Sequence, residues 1–343
     1  MMNTQNSYRT SFIFMILLLI GVFIFNISLG SVSIPFKEII ATIFGSDVLK
    51  ESSQIIILNY RLPKAITAIL VGSGLSISGL LMQTLFRNPL AGPFVLGISS
   101  GASLGVAILI LGTSIFSGLA ISIVSNFSMA IAASSGALLV MSAVMLLANR
   151  IRNTMSILII GLMFGSLTSA VISVLAYFSE PEQLQQFIFW GFGSLGNLSW
   201  NELSIFAFIY LIGISLLGFI LKPLNSLLIG ENYAKSMGVN IKLIRNIILL
   251  TTSLLTGVIT AFSGPIAFVG LAVPHIARLF FNSSNHKILL PSAAIIGAIL
   301  MLLADTIAQL PTSEYTLPIN AITSLFGAPI VIWLLIRKRN IYL

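Results

Sequence analysis

Few side chains in this sequence could do chemistry. Among 343 residues there are nine acids, two histidines and no cysteine. Without cysteine there are no disulfides, thiol nucleophiles or cysteine-held metals and clusters. His275 and His286 stand in no HExxH arrangement, GxSxG is missing, and so is the phosphate-cradling GxxxxGK[ST] loop. A catalytic site needs an acid, base or nucleophile positioned against a partner, so an enzyme within the membrane is disfavoured and no ATP hydrolysis by the chain itself is expected. No resident metal or cofactor is expected, because a metal site needs several convergent ligands. His275 reads as a local cap or hydrogen-bonding residue.

Two places stand out. Asp305, in LLADTIAQ, is the one acid well inside an apolar run. An acid there is a functional candidate by default; it is either a proton or ion relay, or a carboxylate satisfied by backbone or hydroxyls near the outer end. The second place is GPIAFVGLAVPHIAR at 264–278, where Gly264, Pro265, Pro274, His275 and Arg278 interrupt an otherwise apolar segment.

The elements that must position these residues are membrane spans. Hydrophobic residues make up 57% of the chain and charged ones only 8%, with mean hydropathy +1.06. A soluble domain carries roughly 25% charge. Apolar runs of about 20 residues, each enough for one helical crossing, lie near 11–30, 64–86, 93–112, 119–148, 155–178, 202–221, 246–263, 289–310 and 319–336. The segment 265–280 makes a tenth. The chain is thus expected to be an all-α, polytopic membrane protein, one transmembrane unit over 1–343 with no soluble domain. The first run is longer than a signal-peptide core and reads as a retained span.

Net charge +8 is not read as a nucleic-acid footprint, because of where the charge sits. With the N-terminus cytoplasmic, thirteen of seventeen Lys and Arg fall inside, the asymmetry that orients helices on insertion. Only Lys37, Lys50, Arg61 and Lys64 lie outside. This predicts ten spans, N-in and C-in. The chain then crosses outward through 246–263 and returns through 264–280. A fifteen-residue helix rises about 22 Å, less than the roughly 30 Å hydrocarbon core. This short, broken eighth span is either a kinked packing helix or a pathway-lining half-helix.

Segments 31–63 and 179–201 are expected outside, with PFKEIIATIF forming an interfacial helix and 179–201 folding back on the bundle. AGPFVLG at 91–97 and SGPIAFVG at 263–270 both place Gly-Pro at a helix start, an echo that two inverted halves would produce. Small residues at 72–79 and 99–105 suit close helix packing in lipid.

Four stretches together resemble one family. They are NYRLPKAITAILVGSGLSISGLLMQTLFRNPLAGP at 59–93, FWGFGSLGNLSW at 189–200, IGENYAKSMGVN at 229–240, and 264–335, running from GPIAFVGLAVPHIARLF to TSLFGAPIVIWLL. They resemble the FecCD-type permeases, membrane subunits of binding-protein-dependent ABC importers for iron–siderophores, haem and cobalamin. The resemblance implies a dimer with a second permease subunit, two cytoplasmic ATPase subunits, and an extracytoplasmic substrate-binding lipoprotein. It implies a cytoplasmic coupling loop at 226–242, with Gly230, Glu231, Ala234, Lys235 and Gly238. It places a cytoplasmic gate at Asn153, Thr154, Met155 and Ser156, and binding-protein docking at Arg61 and Lys64, in RLPK where the family has RLPR. It sets the 264–280 span beside the path, with Pro274, His275 and Arg278 near the coupling loop. Gln309 stands where some members have Arg, and TLPIN at 316–320 where the family often has ELPVG. The expected cargo is an iron–siderophore; haem or cobalamin stays open within the same fold. An ion-coupled secondary transporter is the rival from another class.

Overall fold

The computed structural model describes residues 2–30, 32, 34–44, 51–112, 125–151, 154–196, 198–310 and 315–337. Among them there is no strand. In chain order the helices are α1 (Met2–Ser28), α2 (Phe36–Phe44) and α3 (Glu51–Ile56), which runs through a π turn, Ile57–Arg61, into α4 (Leu62–Phe86). A 3-10 turn, Pro93–Leu96, precedes α5 (Ile98–Ile110), followed by α6 (Asn126–Arg150), α7 (Thr154–Tyr177), α8 (Pro181–Gly191) and α9 (Trp200–Ser215). Then come α10 (Leu221–Ile229), α11 (Glu231–Ser236), α12 (Ile241–Ser263), α13 (Val269–Phe281), α14 (His286–Ala308) and α15 (Ile319–Arg337).

Among the described residues, seven helices are long and apolar enough to cross a membrane, and three shorter apolar ones, α5, α13 and the body of α15, accompany them. Their starts follow local chemistry. Ser199 and Glu202 form a reciprocal capping box on α9, and the Asn240 side chain accepts from Leu243 N at the start of α12, meeting donors that the first turn leaves unbonded.

Helices α4, α12 and α14 are mostly buried, whereas only a minority of the residues of α1, α6, α7 and α9 are buried. Between helices in lipid, small residues let backbones approach, and the sequence places them where this happens. Gly72 of α4 faces Gly297 of α14, Gly79 faces Gly270 of α13, and Gly101 of α5 faces Gly136 of α6; a Cβ at Gly72, Gly79 or Gly101 would collide with the carbonyl of the facing glycine.

The short span differs from expectation in one respect. Pro274 lies inside a continuous helix; the irregular stretch is 264–268, before α13 begins. Pro274 has no N–H for the Gly270 carbonyl four residues back, and that carbonyl packs against the bare Cα of Gly79. The echo noted above has a structural counterpart. Each Gly-Pro is followed by a left-handed residue, Gly97 or Phe268, and then by a 13-residue helix, α5 or α13. The expected span 93–112 is accordingly a 3-10 turn followed by a shorter helix, and the stretch expected as a coupling loop at 226–242 holds the end of α10 and all of α11. The 179–201 segment does fold back: Ser194 N donates to Ser263 O at 2.9 Å.

Candidate functional site

Side-chain contacts sort the helix ends into two groups, a basic end and the end opposite. At the basic end, α10 and α11 meet at Gly230, whose φ of 136° turns the chain between them. Ala234 is fully buried and anchors α11, while Lys235 and Gly238 are exposed. Gly238 N donates to Lys235 O and Val239 N to Ala234 O, a Schellman closure whose left-handed position favours glycine. Gly238 has that conformation, φ 80°, and open space around it.

Thr154, the first residue of α7, donates its hydroxyl to Glu231 Oε1 at 2.7 Å. The two residues line an open cleft of about 670 Å³ with Phe86, Arg87, Met155 and Gly230. The expected gate and the expected coupling loop, far apart in sequence, are therefore in contact. Ser156 lies half-buried in the same first turn of α7; Asn153 falls outside the described residues.

Beside this cleft, the basic ends of α4, α13 and α14 are tied by buried polar groups. Arg278 Nη1 donates to Gln83 Oε1 at 2.7 Å, and Gln83 Nε2 to Leu271 O at 3.2 Å. His275 Nε2 lies 2.9 Å from the Pro89 carbonyl, which can only accept. His275 and Arg278 thus fasten α13 to the end of α4, one residue from Thr84. His286, which carried no assignment in the sequence, is fully buried between Thr84 and Asn225. A buried polar side chain at a predicted helix end was the available signal. Arg245 donates to the Ile151 and Ala148 carbonyls and so closes the C-terminus of α6, where cations are favoured.

At the opposite end, Arg61 Nη1 donates to Ile27 O at 2.8 Å and to Ser28 O at 3.1 Å, and Nη2 donates to Val32 O. Lys64 Nζ lies 3.1 Å from Asp305 Oδ1. Asp305 Oδ2 accepts from Asn26 Nδ2 at 3.0 Å and from Gln309 Nε2 at 2.6 Å. The carboxylate is thus met by a lysine and two amides, partners that neither sequence reading of Asp305, as a relay or as a group satisfied by backbone or hydroxyls, had named. Both expected docking cations are engaged within the chain. Gly264 belongs to this end too: φ is 72°, and a Cβ would stand 2.8 Å from Trp190 O. Pro265 follows it directly.

Nothing in either group has the make-up of a catalytic centre; the polar groups join helices to one another. The FecCD transport family matches residues 17–337. The chain belongs to that family. It is the permease of an ABC importer and a multi-pass inner-membrane protein, with ATP hydrolysis residing in separate subunits. The permease is 36% identical over 297 residues to the vitamin B12 import system permease protein BtuC of Salmonella typhi, covering 86% of this chain and 87% of that one. The BtuC protein of Klebsiella pneumoniae is 37% identical over 299 residues, covering 85% and 86%. A solved structure of a transporter assigned to the metal-chelate ABC type, in an inward-facing conformation, matches with a TM-score of 0.83 and 29% identity, covering 96% of this chain and 99% of that one.

Proposed function

We propose that the permease converts ATP-driven movement of partner subunits into opening of a path for an iron–siderophore complex. The Thr154–Glu231 hydrogen bond carries this reading, because it joins the segment that an ATPase would grip to the first turn of a span. A push on α11 then becomes displacement of α7, a rigid-body type of switch. The basic end is cytoplasmic by the charge rule, with ten spans and both termini inside.

In this reading Gly230, Glu231, Ala234, Lys235 and Gly238 form the coupling element, and Thr154, Met155 and Ser156 the gate, with Asn153 beside them in sequence. A second permease subunit and two ATPase subunits complete the membrane complex. An extracytoplasmic binding protein delivers cargo at the opposite end. Its acids would compete with internal partners for Arg61 and Lys64 rather than meet free cations.

Cobalamin is the second reading, favoured by the likeness to vitamin B12 permeases. Both cargoes are bulky metal chelates. Vesicles holding the full complex, given radiolabelled ferric siderophore or cobalamin, separate the two readings. ATP-dependent uptake of the siderophore alone is the expected result, uptake of cobalamin alone supports the second reading, and uptake of neither removes both.

A further inference from the structure

The coupling segment touches the bundle in two quite different ways. Through Glu231 it holds α7 by one half-buried hydrogen bond at the edge of an open cleft. Through Asn225, on α10, it holds α14 by several part-buried bonds, and a fully buried imidazole carries the connection on to α4. Asn225 Oδ1 accepts from His286 N at 2.9 Å and lies 2.8 Å from His286 Nδ1. A carbonyl oxygen only accepts, so Nδ1 carries a proton. On the other side of the ring, Nε2 stands 2.8 Å from Thr84 Oγ1. Asn225 Nδ2 also donates to Asn285 Oδ1, which caps α14 through Lys287 N. An amide from α10 therefore completes the first turn of α14, and the imidazole passes the connection on to α4. Residue 83, next to Thr84, fastens α13 in the same layer.

A segment held firmly at one point and lightly at another pivots about the firm one. We infer that Asn225, His286 and Thr84 form the fulcrum of coupling: they fix α10 to the α4–α13–α14 block, so that movement of α11 is delivered to α7 through Thr154. All three are positioning residues that act through α10, and they make no contact with the cleft. Without the fulcrum, α10 and α11 would move together under the ATPase and less of the motion would reach α7. The inference rests on the importer reading given above.

The test uses the complete complex in lipid vesicles, with cargo uptake and ATP hydrolysis measured side by side. Thr84→Val removes the hydroxyl at similar shape, Thr84→Ser keeps it, and Asn225→Ala removes the amide. Cargo moved per ATP hydrolysed should fall about fivefold in Thr84→Val and in Asn225→Ala, the factor expected from one neutral hydrogen bond. Thr84→Ser should restore it.

A second measurement needs no transport. The chain has no cysteine, so spin labels at Lys222→Cys and Lys287→Cys, both exposed, report the α10-to-α14 distance. Asn225→Ala should broaden that distribution. An unchanged uptake-to-hydrolysis ratio in a parent complex that transports overturns this inference alone, as does an unbroadened distance. Uptake and hydrolysis falling in proportion, with a lower melting temperature, would make the contacts structural only and overturn it as well. A parent complex that consumes ATP without moving either chelate overturns the importer reading, and this inference with it.

Discussion

Three helices converge on Asp305, and what they bring decides what its carboxylate can do. Lys64 from α4 supplies the charge, Asn26 from α1 and Gln309 one turn further along supply amides, and both oxygens are taken. A relay residue has to exchange partners; this one is pinned. Asp305 is buried but Lys64 is partly exposed, so stranding the carboxylate should cost less than the full buried-pair penalty, about 2–3 kcal/mol, whereas replacing both with apolar groups is often near neutral. Lys64→Met should therefore lower unfolding stability by about that amount, and Lys64→Met with Asp305→Leu should recover most of it, read from denaturation in detergent. Gly264 has the same character at the backbone level. With φ 72° and Trp190 O where a Cβ would go, Gly264→Ala should cost about 2 kcal/mol or more, given that each strained backbone position costs about 1–3 kcal/mol. Gly218→Ala, with nothing within 4 Å, should be close to neutral in the same assay. Sequence pointed to Asp305 and Gly264 as special. It did not supply their partners, since Asn26 and Asp305 are 279 residues apart.

At the scale of elements, α11 is a six-residue helix that could not persist alone. It holds because Ala234 is buried beneath it and Gly238 closes its C-terminus. The stretch GENYAKSMG stood out in the sequence through its resemblance to the family's coupling loop. The contact with α7 did not, because nothing in a linear pattern aligns residue 154 with residue 231. A bulky side chain at Gly238 enters open space, so it should leave the bundle folded at a cost of about 1–2 kcal/mol for the left-handed backbone. It should nonetheless sharply reduce cargo movement per ATP, or co-purification of the ATPase subunits. Normal transport by Gly238→Leu would remove α11 from the coupling assignment. In α13 the prolines led sequence reasoning to expect a break along the span. The helix tolerates Pro274 because Gly270, whose carbonyl it leaves without a donor, lies against Gly79.

For the whole molecule, sidedness is the quantity that charge alone sets, and it can be checked directly. With no native cysteine, Lys37→Cys should react with a membrane-impermeant thiol reagent on intact cells, and Lys235→Cys only after permeabilisation. The reverse pattern would invert the topology. Vesicles containing only this permease should fail to accumulate chelate against a gradient, since ATP hydrolysis resides in separate subunits. What the sequence determined by itself is the class of molecule: an all-helical bundle in lipid, organised around short apolar runs and small-residue contact points, with an expected orientation. These follow from run length, composition and charge, which are local sums along the chain. Only the tertiary structure decided which polar groups meet: Lys64 with Asp305, Thr154 with Glu231, and Asn225 with His286 and Thr84. In a bundle this apolar, a buried polar side chain must find a partner, and which partner depends on how helices distant in sequence are packed side by side.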